Sequence, residues 1–185
     1  STQPARVVRV VMAEQHMRDG LVRKALRQRI DQLLALLNSE ARLADDLGSL
    51  SDDLGWTILL MTVAAVYLHR LTGADEMALG LPVHNRTAAD TRRLIGPLME
   101  VFPVDVSVDP DDTFRTLHRR IGRAVLATLR HARPGTAPPT PDCEAIVNVI
   151  TRAGHGQFGD VPSVTEWIHA GASDPNHLFR LQLTN

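Results

Sequence analysis

Apolar positions along this chain switch between a period of two and a period near 3.6, and the switches divide it into alternating strands and helices. Arg6–Met12 is rich in β-branched residues and predicts a strand. From Leu21 the spacing becomes helical. Leu21/Val22, Ala25/Leu26, Ile30, Leu33/Leu34 and Leu37 make one stripe opposite Arg23, Lys24, Arg27 and Gln28. The pattern breaks around Asn38-Ser39, and a short helical stretch, Ala41–Leu47, follows. Ser51-Asp52-Asp53 has the composition of a helix N-cap with acidic first-turn residues. It precedes the most apolar run of the chain, Trp56–Leu68, which predicts a buried helix stopping near Gly73.

The second half repeats the alternation. Glu76–Leu81 predicts a strand ending at Pro82. Val101–Val108 sets Val101, Pro103, Asp105 and Ser107 against Phe102, Val104, Val106 and Val108, the signature of a half-buried strand. Asp111-Asp112-Thr113 caps a long helix with Phe114, Leu117, Ile121, Val125 and Leu129 on one face. Arg133–Pro141 carries four prolines and a glycine and predicts a loop. Ala145–Thr151 predicts a short buried strand; Val161–Ile168 and Leu178–Thr184 are weaker strand candidates. Strands alternating with long helices, without an internal repeat, give an α/β class.

Composition narrows the function without naming it. Apolar residues are 44% and charged residues 22% of 185, enough to bury a core without disulfides or metals. A net charge of −1 argues against a generic nucleic-acid binder. One cysteine, Cys143, excludes an internal disulfide and suits a reducing cytoplasm. The apolar run to Leu68 is shorter than the roughly 18–20 residues that cross a bilayer, so no membrane association is expected. The opening Ser1-Thr-Gln-Pro4, without methionine, reads as an excised or trimmed piece.

Several signals look functional and have simpler readings. Gly154-His-Gly156-Gln-Phe-Gly159 matches G-x-G-x-x-G, but Asp160-Val-Pro162 does not open the helix a dinucleotide site needs; a glycine-rich hairpin or loop is expected. Arg115, Arg119, Arg120, Arg123, Arg130 and Arg133 cluster on or after one helix. They form a solvated basic face or, at Arg119 and Arg123, a dock for an acidic partner. The eight histidines show no metal-ligand spacing, so no metal is expected.

The stretch from Trp56 to Val108 carries a more specific pattern. Leu68-His-Arg-Leu-Thr-Gly73 precedes Gly80-Leu-Pro82-Val-His-Asn-Arg86, then Ile95-Gly96-Pro-Leu, then Asp109-Pro-Asp-Asp-Thr-Phe114. This order resembles the C-terminal lobe of the condensation domains of nonribosomal peptide synthetases. There "L-x-R-x-T-G", "G-x-P-x-x-x-R", "I-G-x-F-x-N" and "D-x-T-F" follow in sequence. The resemblance extends to the N-terminal part. The family places H-H-x-x-x-D-G between a strand and a helix, and here Glu14-Gln15-His16-Met17-Arg18-Asp19-Gly20 follows the strand. Aligned on Asp19-Gly20, Glu14 and Gln15 replace the two histidines. A glutamine amide cannot take the amine's proton as an imidazole can, although it still donates a hydrogen bond. His16 substitutes only if the turn is one residue shorter. Glu100 stands where the family often has asparagine.

The resemblance implies a chloramphenicol-acetyltransferase-like, two-lobed α/β fold. Residues 1–50 would be the end of the N-terminal lobe and 51–185 a C-terminal lobe lacking its last strands. Only Asn38–Asp53 separates two helices that the family joins by a longer segment, so the chain is either a shrunken relative or omits stretches of a longer protein. It also implies a salt bridge from Asp19 to Arg86 that braces the catalytic loop. Breaking such a buried pair costs about 3–5 kcal/mol. Donor and acceptor carrier proteins would be the partners, their phosphopantetheine arms presenting the thioesters, with no directly bound cofactor. Amide or ester formation is the first expectation. A silent condensation-like scaffold and a free-standing coenzyme A-dependent acyltransferase are the alternatives.

Overall fold

The computed structural model describes residues 7–12, 53–86, 89–139, 141–150, 157–158, 161–162 and 177–184. The expected helices at 21–37 and 41–47, and the cap residues Ser51 and Asp52, lie outside them. The described elements are β1 (Val7–Met12), α1 (Asp53–Thr72), β2 (Glu76–Val83), α2 (Ala89–Arg93) and β3 (Glu100–Ser107). There follow α3 (Phe114–His131), β4 (Ala145–Ile150), β5 (Gln157–Phe158), β6 (Val161–Pro162) and β7 (Phe179–Thr184).

Five strands form one mixed sheet in the order β1-β7-β4-β2-β3. β2 and β3 pair antiparallel with Leu79 opposite Val104, while β4 lies parallel to both β2 and β7. β1 closes the other edge antiparallel to β7, with Met12 opposite Phe179. The strand assigned to an N-terminal lobe and those assigned to a C-terminal lobe thus share this sheet.

Both long helices lie on one face. Leu60, Met61, Ala64 and Leu68 of α1 and Leu117, Ile121 and Val125 of α3 are buried against Leu79, Val104, Val147, Leu181 and Leu183. Each such Leu or Ile contributes about 1.5–3 kcal/mol by leaving water. β3 alternates as expected, with Phe102, Val104 and Val106 buried and Asp105 and Ser107 exposed. Gly80 faces the other side, where close packing excludes a side chain. A Cβ there would meet Val101 Cγ1 at 2.9 Å and Cys143 Sγ and Ile146 Cγ1 at 3.0 Å.

The buried helix stops at Gly73 as expected: His69–Thr72 continue it beyond the apolar run, and the Gly73 N–H bonds the His69 carbonyl at 2.8 Å. Four expectations need correction. Leu54–Thr72, 19 residues at mean hydropathy 1.4, is long and apolar enough to cross a membrane by length and composition. Here it is the central helix of the core. β2 does not stop at Pro82 but runs to Val83, because Pro82 pairs at the hairpin with Val101. The strand beginning at Ala145 is fully buried only as far as Val147; Asn148–Ile150 are half-buried. The basic face is not uniformly solvated, as the arginines of α3 show below.

Two minor expectations are met. Gln157–Phe158 pairs antiparallel with Val161–Pro162, a hairpin within the glycine-rich stretch, where a dinucleotide site would need a helix. The remainder of 161–168 lies outside the described residues. α3 begins at Thr113, whose hydroxyl accepts the Thr116 N–H while Thr116 Oγ1 accepts the Thr113 N–H, a reciprocal capping box.

Candidate functional site

The hairpin of β2 and β3 carries the residues of the Gly80–Arg86 and Ile95–Glu100 motifs, and the segment joining the strands is folded by two side chains from its own start. Arg86 turns its guanidinium inward. Nη1 donates to the carbonyls of Thr91 at 2.9 Å and Leu94 at 2.5 Å, and Nη2 to that of Gly96 at 2.5 Å. A planar fork with five N–H donors suits three carbonyls converging on it; the point charge of a lysine would not. Asn85 is buried at φ 54°, a left-handed conformation that asparagine tolerates better than most residues. Its Nδ2 donates to the Leu98 carbonyl at 3.0 Å and to Glu100 Oε2 at 2.7 Å. The clamped segment presents Leu94, Ile95 and Met99 to solvent.

Glu100 joins a third segment to this hairpin. Both carboxylate oxygens accept the Gly135 N–H at 3.0 Å. Gly135 belongs to a turn after α3 in which Thr136 N–H donates to the Arg133 carbonyl at 3.1 Å. Pro134 and Gly135 hold its central positions, with Gly135 at φ 78°, the region a second central residue occupies when the middle peptide is flipped.

A second polar cluster lies at the other end of the sheet, where β4 and β7 begin and β1 ends. Cys143, a buried thiol in no disulfide, and the buried His177 meet there. His177 Nδ1 lies 2.9 Å from the Cys143 carbonyl and 3.7 Å from its sulfur. The carbonyl is the nearer acceptor, so Nδ1 carries the proton and the ring is oriented by backbone. Glu144 extends the ladder beyond β4. Its N–H donates to the Ala78 carbonyl at 3.0 Å and its Oε2 accepts the Ala78 N–H at 2.7 Å.

On α3, identical side chains are used differently. Arg119 and Arg123 are exposed and make no ion pair among the described residues. Arg120 instead pairs with Asp112 and reaches Ser107 Oγ at 3.4 Å. The Asp112 carboxyl lies below its ordinary 3.8, chiefly because the Asp109 N–H donates to it; the Thr116 hydroxyl and Arg120 add to the effect. Arg133 donates to the carbonyls of Arg130 and Ala132. The buried face holds His118, whose Nδ1 is 3.2 Å from Thr62 Oγ1. Thr62 already donates to the Ile58 carbonyl at 2.7 Å, so His118 Nδ1 is the donor between them. Burial lowers the His118 pKa from 6.5.

Of the site residues expected from sequence, Gln15, His16, Asp19 and Gly20 lie outside the described residues. Arg86, Arg119 and Arg123 are described. Every hydrogen bond that the structure gives Arg86 ends within its own connection, and Met12, from which the motif segment departs, lies at the other sheet edge. Sequence reasoning missed Asn85 as the partner of Glu100. The adjacency of Asn85 and Arg86 on a motif turn was the available signal, but their targets depend on the course of residues 89–100.

Comparison with known proteins places this arrangement. Over 78 residues the chain is 36% identical to an isonitrile lipopeptide synthase of Streptomyces coeruleorubidus, a span of 42% of this chain and 5% of that protein. Over 76 residues it is 30% identical to a dimodular nonribosomal peptide synthase of Bacillus subtilis (strain 168), covering 41% of this chain and 3% of that one. The chain therefore corresponds to a small part of these relatives. Among solved structures it is similar to the starter condensation domain of rhizomide synthetase, with a TM-score of 0.51 and 26% identity over 60% of this chain and 29% of that one. The first condensation domain of the calcium-dependent antibiotic synthetase shares the fold at a TM-score of 0.52 and 22% identity, over 85% of this chain and 33% of its own. The family model described as Condensation domain matches residues 29–136, more than half of the chain and inclusive of α1, the clamped hairpin and α3; the chain belongs to the condensation-domain family.

Proposed function

We propose that this chain is part of a condensation domain of a nonribosomal peptide synthetase and takes part in joining carrier-tethered acyl or aminoacyl thioesters by amide bond formation. The observation that carries this reading is the family match across residues 29–136. In the reaction an amine attacks a thioester carbonyl, the tetrahedral oxyanion collapses and the thiol leaves. The protein must remove the amine's proton and stabilise the oxyanion. Phosphopantetheine arms of donor and acceptor carriers would present the reactants, and no directly bound cofactor is required. Arg119 and Arg123, exposed on α3, are the proposed dock for an acidic carrier surface. A buried Cys143 that forms no disulfide is compatible with a reducing cytoplasm.

Within this reading His16 or Gln15 faces the reacting amine, and Asp19 next to Gly20 braces the turn. Residues 1–50 would close the N-terminal lobe and 51–185 form the C-terminal lobe. The Nε–H of Arg86 and its second Nη2–H are the donors with which Asp19 would pair. Glu14-Gln15 in place of two histidines favours a second reading, a silent scaffold that recruits carriers without turnover. Donor and acceptor carriers loaded with thioesters separate the two by intact-protein mass spectrometry of the acceptor. Acceptor mass increased by the donor acyl group, and lost in His16→Ala, establishes catalysis through His16. No transfer with carriers that still bind the chain leaves the scaffold.

A further inference from the structure

The carboxylate of Glu100 is surrounded by donors. Asn85 Nδ2 lies 2.7 Å from Oε2, and the Gly135 N–H lies 3.0 Å from each oxygen. These groups belong to three separate segments: the exit of β2, the first residue of β3 and the turn after α3. We propose that Glu100 is a clasp that fixes the connection from α3 to β4 against the β2–β3 hairpin, and that it must be a carboxylate. The inference does not depend on the condensation reading.

Donor and acceptor counting gives the reason. Asn85 Nδ2 also donates to the Leu98 carbonyl, which fixes which end of its amide faces Glu100. Glu100 therefore meets N–H groups from both sides and has to accept from both. Glutamine, equal in size, offers one acceptor oxygen and one NH2 group, and the NH2 would oppose an N–H. Asparagine at this position would also be one methylene shorter. On the far side, the Pro134-Gly135 turn binds itself through Thr136 N–H and leaves the Gly135 N–H for an outside acceptor. Thr136 Oγ1 accepts the Arg133 N–H at 3.1 Å, so the turn keeps its shape whether or not Glu100 holds it. The clasp thus sets where the turn sits, and with it the path of the proline-rich connection.

Amide hydrogen exchange on the intact chain tests this, with Thr136 as internal control. In the wild-type protein the Gly135 N–H, although in an exposed turn, exchanges about tenfold or more slower than an unprotected amide. Exchange of Gly135 at the unprotected rate overturns the clasp without recourse to a variant. In Glu100→Gln, Gly135 loses that protection while Thr136 and the amides of Ile121 and Val125 keep theirs. A side chain that merely filled space would leave Glu100→Gln indistinguishable from wild type, and that result also overturns the proposal.

Discussion

α1 and α3 lie side by side on one face of the sheet, with 20 and 18 residues, and are built on opposite principles. α1 is apolar nearly all round. From Leu59 to Leu68 only Val66 is more than marginally exposed, so the helix is held by the surface it buries. α3 buries Leu117, His118, Ile121 and Val125 and turns Arg115, Arg119 and Arg123 to water. It relies on a capping box at one end and a single stripe of contacts. A helix whose middle is buried nearly all round leaves little face for a partner, whereas a capped, one-sided helix keeps one. The two therefore divide the work of stabilising the domain and presenting a surface.

The contrast can be broken first in α1. Leu60→Ala leaves a cavity at a site 1% exposed and is expected to cost about 2–5 kcal/mol, read as a lowered midpoint in urea unfolding. Gly80→Ala probes the face of the sheet that the helices leave. Its added methyl would enter three contacts at 2.9–3.0 Å, and overpacking of this kind costs about 1–3 kcal/mol. If Gly80→Ala were neutral in thermal unfolding, Val101, Cys143 and Ile146 would have to yield.

Smaller effects sharpen the account of α3. Thr113→Ala removes the capping hydroxyl and should cost about 1 kcal/mol, whereas the same change at exposed Arg123 should stay within about 0.5 kcal/mol. Equal losses at the two positions, measured by denaturation, would erase the distinction between a structural and a free face. His118 adds a pH dependence whose sign follows from burial. The folded ring has a pKa below 6.5, so the unfolded chain binds more protons as pH falls. Its contribution is fully present above about pH 6.5 and declines as pH drops through that value toward the folded one. His118→Phe, which leaves Thr62 its bond to Ile58, should flatten this part of the stability profile.

Much of the fold was legible because it is local. The alternation of Phe102, Val104 and Val106 with Asp105 and Ser107 marks β3. The Asp111-Asp112-Thr113 run marks the start of α3, with Thr113 the residue that caps. The buried helix and its stop at Gly73 are legible as well, although His69–Thr72 continue it beyond the apolar run. The six arginines of α3 and its exit were read as one face. Arg120 departs from it because Asp112, eight residues earlier, is brought within reach by the capping turn. The sequence singles out Arg86 as the partner of Asp19, a pairing that lies outside the described residues; the carbonyls Arg86 holds lie five to ten residues ahead and converge only when the β2–β3 connection is folded.

The residue order alone suffices for the alternation of β3, the cap of α3, the α/β class and the family, because each rests on neighbours within a few turns or on motifs of fixed spacing. Tertiary structure was needed to learn which of several chemically equal side chains are engaged. Glu100 takes the N–H of a glycine 35 residues later, and Arg120 is bound while Arg123 makes no ion pair among the described residues. Such pairings depend on where a distant turn comes to rest, and that position is set by the packing of the whole sheet and its two helices.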